Sequence, residues 1–461
     1  MTSSLPRRRA LVLAVALAAA ALAVATGAWM GRAAWIGAGF YAKQLCSGVF
    51  VGGRDAAEVA EEDLAVTWPA AIFRRIAWRV DGAGARTEAT WLGLVAREAR
   101  HRPGYGCTLV VTGDLEPVPE PAPTHVPRGE SATADAESAP LARVLDEAFG
   151  ASGSGARSRA VVVMRDGRII AERYAPGFDA RTRFSGWSLT KSVFNAVVGA
   201  LVLEGALDLA EPARIAAWRA PGDPRGAVTY DHLLRMSTGM AFSERYGDPF
   251  SDVARMLFGE RAAGRFAASR PLADAPGTAW RYASGTTNAL AEALRGHVPS
   301  GLRYHDLPRR LVFERLGMTS AVAELDESGA FVASSYMLAT ARDWATFGAL
   351  FAADGVWSGR RVLPEGWVEY SRRPAPAGSA GKYGAHFWLY DAADRERAQR
   401  AAARSLPEDA FYAAGYAGQR IIVVPSLRLA IARLGQDAGD RAFDHAVFAA
   451  RVIAALEDGA R

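Results

Sequence analysis

The sequence predicts an α+β protein with an N-terminal apolar helix, a small α/β unit, and a larger domain built on one antiparallel sheet. Three observations carry that expectation. An uncharged, apolar stretch from Ala10 to Met30 follows Arg7-Arg8-Arg9. A proline-rich run from Asp114 to Pro140 separates a short region from a long one. Within the long region, hairpin patterns stand near both ends, Ala160–Met164 with Ile169–Tyr174 and Arg420–Val424 with Leu429–Leu434, and helical segments lie between them. Hairpins that pair across the two ends would close one sheet, with the helices as an insertion.

The N-terminal stretch exceeds the usual secretory apolar core of about 7–15 residues and matches the roughly 20 needed to cross a bilayer. It therefore reads as an uncleaved anchor. Arg7–Arg9 would stay cytoplasmic, and everything after Arg32 would lie on the extracytoplasmic (periplasmic) side of the inner membrane. Ala23-Val24-Ala25 resembles a small-residue cleavage site, so a cleaved, secreted form is the alternative. The expected divisions are 1–39 for tip and anchor, 40–113 for a small extracytoplasmic unit, 114–140 for a linker, and 141–461 for the main domain. In the small unit, Ala56–Leu64 has helical composition, while Ile76–Val80 and Thr108–Val111 read as strands.

The chain has two cysteines, Cys46 and Cys107, both in that unit. An even count in an exported chain points to one disulfide, with two free buried thiols as the alternative. No CxxC or HExxH occurs, so neither metal nor cofactor is expected. The formal net charge of +5 is spread along the chain, with no basic run beyond Arg7–Arg9. That distribution argues against a nucleic-acid partner.

The main domain opens with a helix over Leu141–Phe149, then the first hairpin, turning at Arg165-Asp166-Gly167. Ser188–Glu204 is apolar at helical spacing and stops at Gly205. Further helices are expected near Tyr230–Met236, Ser251–Ala267, Thr287–Leu294 and Ala341–Ala353. An amphipathic helix over Asp444–Leu456 follows the second hairpin.

Of the 54 basic side chains, three are lysines: Lys43, Lys191 and Lys382. Guanidinium stays charged at any physiological pH, whereas a desolvated lysine can lose its proton and act as a base. Lys191 closes Ser188-Leu189-Thr190-Lys191 at the start of a predicted helix. Residues three apart share one helix face, so the amine can reach the hydroxyl and activate it as a nucleophile. Ser379-Ala380-Gly381-Lys382 fits the same four-residue pattern but lies in a Pro/Gly-rich segment where no helix fixes the geometry; Lys382 reads as a solvated loop lysine. Lys43 reads as an exposed juxtamembrane charge. Trp187 reads as core rather than as a substrate wall, and Asp252 and His386 carry too little support for a role.

Two more motifs follow: Tyr282-Ala283-Ser284 before a helix, and Gly415-Tyr416-Ala417-Gly418-Gln419 at the entry to the C-terminal hairpin. In this order the three motifs resemble the serine β-lactamase and penicillin-binding-protein superfamily. The resemblance runs over about Val161–Leu434 and is nearest to class C β-lactamase-like hydrolases, including esterases and 6-aminohexanoate-dimer (nylon oligomer) hydrolases. It implies a β-lactamase/transpeptidase-like fold, with Ser188 as nucleophile, Lys191 as base and Tyr282 as the group that protonates the leaving atom. It further implies that Ser284 hydrogen-bonds Lys191 and that Gly418-Gln419 forms the strand edge completing an oxyanion hole. The loop Phe242–Pro249 is similar to the active-site loop of nylon oligomer hydrolases, which would let Tyr246 donate to a leaving nitrogen. Read from the residues alone, Tyr282 and Tyr246 could be packing aromatics, and Ser284, Gly415 and Gly418 turn residues.

Tyr416-Ala417-Gly418 replaces the Lys-Thr-Gly of many superfamily members, removing a cation that would meet a substrate carboxylate. The expected activity is therefore hydrolysis of a small or linear ester or amide by a membrane-anchored serine hydrolase. A penicillin-binding-like DD-peptidase or β-lactamase is the alternative, as is a catalytically idle envelope binding protein on the same fold. No Gly-x-Ser-x-Gly elbow is present to suggest an α/β-hydrolase.

Overall fold

The computed structural model describes residues 7–64, 75–121, 138–150, 157–376, 378–437 and 443–458. Most of the expected linker (122–137) and the first six residues lie outside them. One helix, α1 (Arg7–Cys46), runs without a break through the expected division at 39/40. Its first half and second half meet different surroundings. Residues 11–28 are exposed, whereas Ala34, Ile36, Ala38, Ala42 and Leu45 are completely buried. Among the described residues it is the one helix long and apolar enough to cross a membrane, a property that a signal sequence shares.

The buried half of α1 lies on a four-stranded antiparallel sheet, β1 (Ile76–Asp81), β2 (Arg86–Trp91), β3 (Val95–Arg102) and β4 (Gly106–Val110), in sequential order. The sequence expectation contained β1 and β4 but not β2 and β3. Their inward face carries Thr87, Ala89, Arg97 and Ala99, small or charged residues that leave Trp91 as its one large apolar side chain and hide the apolar alternation by which a strand is usually read. Close approach of the helix requires those small side chains. Cys46 and Cys107 are joined, tying the end of α1 to β4.

The main domain begins with α2 (Ala139–Gly150) and the hairpin β5 (Ser158–Arg165) and β6 (Arg168–Tyr174). The insertion follows: α3 (Leu189–Leu203), α4 (Asp252–Phe258), α5 (Ala263–Ala268), α6 (Ser284–Arg295) and α7 (Ala341–Ala352). The chain then returns through β7 (Trp388–Leu389), β8 (Phe411–Gly415), β9 (Gln419–Val424) and β10 (Leu429–Gly435), and ends in α8 (His445–Asp458). The sheet order is β7-β8-β9-β10-β5-β6, so β10 pairs with β5 and the two terminal hairpins close one antiparallel sheet. Its strands alternate between two covered faces. Val161, Val163 and Ile431 pack with Leu145 of α2 and Ile453 of α8, while Ala160, Val162 and Ile421 face the insertion side with Phe347 of α7. Cover on both faces explains the continuous apolar run of β5.

The single helix expected over Ser251–Ala267 is two helices. Gly259 leaves helical geometry (φ −131°), and the N–H of Ala263 is taken by Asp326 at 2.8 Å, a cap supplied from a distant segment. Lys43 is not an exposed juxtamembrane charge: it is 1% exposed and paired with Glu324 at 2.5 Å. The same carboxylate accepts from the Ser47 hydroxyl (2.9 Å) and the backbone N–H of Cys107 (2.7 Å). Nearby, Arg97 donates to the carbonyls of Trp35 (3.2 Å) and Phe258 (2.9 Å), bridging β3, α1 and α4. These bonds join the N-terminal unit to the main domain.

A buried charge deprived of its partner costs about 3–5 kcal/mol, whereas replacing both partners by apolar residues is often neutral. Glu324→Leu should therefore lower unfolding free energy by about 3–5 kcal/mol in denaturant titrations, and adding Lys43→Met should recover most of it. A single-variant loss below about 1 kcal/mol would show that the pair does not hold the two parts together.

Candidate active site

Ser188 stands at the N-terminus of α3, just after a tight turn in which Trp187 adopts left-handed geometry (φ 48°). This is sparsely populated for a bulky side chain and projects the next residue out of the preceding strand direction. The turn is crowded: a Cβ on Gly186 would lie 2.3 Å from the Trp344 ring, and one on Gly415 would lie 2.2 Å from the Gly186 carbonyl oxygen. Glycine at both positions lets the entry to α3 approach the end of β8.

One helical turn on, the Lys191 amine lies 2.9 Å from the Ser188 hydroxyl. It also donates to the Ser284 hydroxyl (3.1 Å) and the Ser334 carbonyl (2.9 Å). Ser284 opens α6, so the Tyr282-Ala283-Ser284 segment is delivered to the amine by the start of that helix. Tyr282 lies beside them, with its ring centroid 5.1 Å from the Lys191 amine. Behind it, Tyr383 and Trp388 hold the ring at centroid distances of 5.8 and 5.3 Å.

Glu244 completes the cluster, and its role was not legible in the sequence. Its carboxylate accepts from the Ser284 backbone N–H (2.8 Å), the Ser284 hydroxyl (2.5 Å) and the Tyr246 hydroxyl (2.6 Å). Glutamate in a polar loop carries no signature of its own; only the folding of that loop onto α6 identifies it. Ser334 is equally silent, because its contribution is a backbone carbonyl.

Burial lowers the Lys191 pKa to about 8, against a smaller upward pull from Glu244. Lysine in this setting is neutral for an appreciable fraction of the time near neutral pH. Tyr282 moves the other way. Burial and the Glu244 charge both push its pKa up, outweighing the lowering influence of Ser188 and of the Arg420 charge. At rest the pair is thus an amine able to accept a proton beside a phenol that keeps its own.

The remaining expected residues are placed unevenly. Tyr246 stands at the site, but its hydroxyl is committed to Glu244 and its ring is exposed. Gly418 faces away: its carbonyl accepts from Arg433 (2.9 Å), and a Cβ there would strike Asp437. The Gln419 side chain is buried and bridges Gly435 and Tyr416, bracing the β8–β9 turn. Tyr416 is the residue of that motif that lines the cavity beside Ser188. Trp187, read from the sequence as core, is half-buried and also lines it. His386 is buried under α3, with its ring bonded to the Lys191 carbonyl (2.9 Å), and Asp252 accepts from the Ser243 N–H (2.9 Å). Lys382 pairs with Asp391 in a solvated loop. A larger cavity of about 1300 Å³, bordered by Arg183, Glu314 and Arg360, touches neither Ser188 nor Lys191.

The pattern of the Beta-lactamase family matches residues 142–455. The chain belongs to the beta-lactamase family. It is 30% identical over 223 residues to the 6-aminohexanoate-dimer hydrolase of Paenarthrobacter ureafaciens, a match spanning 46% of this chain and 56% of that relative. Among solved structures, EstCE1, a hydrolase with promiscuous acyltransferase activity, superposes with a TM-score of 0.54 at 15% identity, over 69% of this chain and 98% of its own. The octameric penicillin-binding protein homologue from Pyrococcus abyssi gives 0.50 at 18% identity, over 69% and 77%. At such identities these two structures establish the fold. Within this beta-lactamase-family chain, the matched region contains Ser188, Lys191, Tyr282 and Glu244, while all of α1 and its sheet lie outside it.

With three lysines in the chain, ε-¹³C-lysine labelling gives a spectrum simple enough to assign by single substitutions. The Lys191 signal should titrate near 8. Because Glu244 is the influence raising that value, Glu244→Gln should move the midpoint further down. A Lys191 midpoint at the ordinary lysine value, about 10.4, would contradict the environment described.

Proposed function

We propose that this chain is a membrane-anchored serine hydrolase that cleaves an ester or amide bond through an acyl-enzyme on Ser188. The observation that carries the reading is the buried Lys191 amine, 2.9 Å from the Ser188 hydroxyl and with its other bonds to uncharged oxygens. In the first step the neutral amine takes the hydroxyl proton as the oxygen attacks the substrate carbonyl. The tetrahedral oxyanion is met by the backbone N–H of Ser188 at the start of α3, where N–H groups have no intrahelical acceptor, and by the end of β8 at Gly415–Tyr416, which approaches that turn. Tyr282 gives its proton to the leaving oxygen or nitrogen, and the Lys191 ammonium restores it. Water then attacks the acyl carbonyl as its proton passes to the neutral Lys191 amine, and the Ser188 oxygen leaves with that proton as the acid is released. Ser284 and Glu244 orient the amine, and Tyr246 offers its ring to the substrate.

Support for acyl-transfer hydrolysis comes from the names of the relatives, a 6-aminohexanoate-dimer hydrolase and a hydrolase with promiscuous acyltransferase activity. No lysine or arginine occupies the Tyr416-Ala417-Gly418 motif, which weighs against the carboxylate-bearing substrates of peptidases and β-lactamases. The apolar half of α1 supplies the anchor, with the arginines at its start on the cytoplasmic side and the catalytic body outside it.

A fluorophosphonate probe should label the wild type and fail to label Ser188→Ala; labelling of that variant would remove the nucleophile assignment. Lys191→Arg, which keeps the charge but cannot accept a proton, should reduce acylation by about 10²–10⁴-fold. Acylation by p-nitrophenyl esters should rise about tenfold per pH unit below 8 and level off above it, as the amine becomes neutral. Turnover of nitrocefin above that of the esters would favour the β-lactamase alternative.

A further inference from the structure

The cavity beside Ser188 is not built by the beta-lactamase-family region alone. It encloses about 170 Å³ and is lined by apolar side chains of that region, among them Trp187, Val253, Leu257 and Phe258, and by Phe40 of α1. Phe40 lies outside the matched residues and in the sequence is indistinguishable from any apolar residue of a long helix. In the fold it is 3% exposed. Its ring stacks on Trp187 (centroids 6.4 Å, planes 17° apart) and meets Phe258 edge-on at 5.4 Å.

The position of this ring is fixed from several sides. On one side Gly39 lies so close to α4 that a Cβ would be 2.8 Å from the Phe258 carbonyl oxygen. One turn further along, Lys43 is bonded to Glu324, and Cys46 is joined to Cys107. The helix can neither slide nor rotate without breaking these contacts. Phe40 is therefore a rigid wall, unlike a loop side chain that could yield to a longer substrate.

Chemistry orients the substrate. The leaving atom must lie within reach of the Tyr282 phenol, which is backed by Tyr383 and Trp388 and does not line this cavity. The other side of the scissile carbonyl, the acyl part, then points toward Phe40. Building on the acyl-enzyme reading above, we infer that this cavity is the acyl-binding site, that it takes a short apolar acyl group, and that Phe40 of the anchor helix sets its depth. An apolar cavity of roughly 150 Å³ holds one benzene molecule, so the space suits an acyl chain of about four to six carbons. The N-terminal unit thus completes the substrate site in addition to attaching it to a membrane.

The test uses the full chain in detergent micelles and two substrate series. One keeps p-nitrophenol as leaving group and lengthens the acyl chain from acetate through butyrate, hexanoate and octanoate to decanoate. The other keeps butyrate and varies the alcohol. Wild-type kcat/KM should peak at butyrate or hexanoate. Phe40→Ala should raise the decanoate-to-butyrate ratio by about tenfold or more, the size of effect that a change in pocket volume gives. Phe40→Trp should shift the peak toward acetate, and neither variant should reorder the alcohol series. Fluorophosphonate labelling of Ser188 in each variant shows that the site is folded, and Phe40→Leu replaces any variant that fails to label. Labelled variants with an unchanged acyl profile, or a change confined to the alcohol series, overturn the assignment of the cavity. Failure of the wild type to label, or to cleave any ester, instead overturns the hydrolase reading on which it rests.

Discussion

A lysine amine surrounded by neutral oxygens is the constraint on which the site depends. Lys191 and Lys43 are both 1% exposed, yet they are bonded to different partners. Lys43 meets a carboxylate directly at 2.5 Å, in a buried ion pair that ties α1 to the main domain. Lys191 meets two hydroxyls and a carbonyl, and the Glu244 carboxylate is joined to it through Ser284. Burial without a direct counter-ion disfavours the charged form, so the amine is poised to accept a proton. Moving a carboxylate onto it would convert a base into a clamp.

The rest of the main domain can be understood as support for that arrangement. Packing on both sheet faces fixes α3, whose first turn carries Ser188 and Lys191 on one side. Glycines at 186 and 415 let the turn before α3 meet the end of β8, and Gly285 does the same for α6, where a Cβ would lie 2.4 Å from Phe242. Glu244 then links the loop after Phe242 to the start of α6. Four segments far apart in sequence, at Ser188–Lys191, Glu244, Ser284 and Ser334, converge within hydrogen-bond distance.

The N-terminal unit extends the same logic outside the family region. α1 changes from an exposed apolar rod to a buried element at about Ala33, where its small residues begin to pack on the sheet and on α4. Glu324 and Glu327 reach back from the main domain to it, Glu324 to Lys43 and Ser47, and Glu327 to the N–H groups of Val111, Thr112 and Gly113. Buried carboxylates satisfied by partners from another unit hold two units as one body, because separating them would expose or orphan each group.

By itself the sequence determined what depends on local spacing. Ser188 and Lys191 lie three apart on a helix, the two hairpins have strand periodicity, and the Ala10–Met30 stretch is long enough for a bilayer; each follows from neighbours along the chain. The resemblance of Ser-x-x-Lys, Tyr-x-Ser and the glycine-rich strand entry, in that order, to the serine β-lactamase superfamily nominated Tyr282 and Ser284 beside them. Tertiary structure alone decided what depends on residues far apart. It separated α4 from α5 through Asp326, buried Lys43 against Glu324, brought Glu244 to Ser284, and turned Gly418 and Gln419 away while exposing Trp187 to the cavity. β2 and β3 were hidden because close packing under α1 requires small inward residues, which erase the alternation that marks a strand. Phe40 was hidden for the complementary reason: an apolar residue in an apolar helix has no pattern of its own until another segment folds against it.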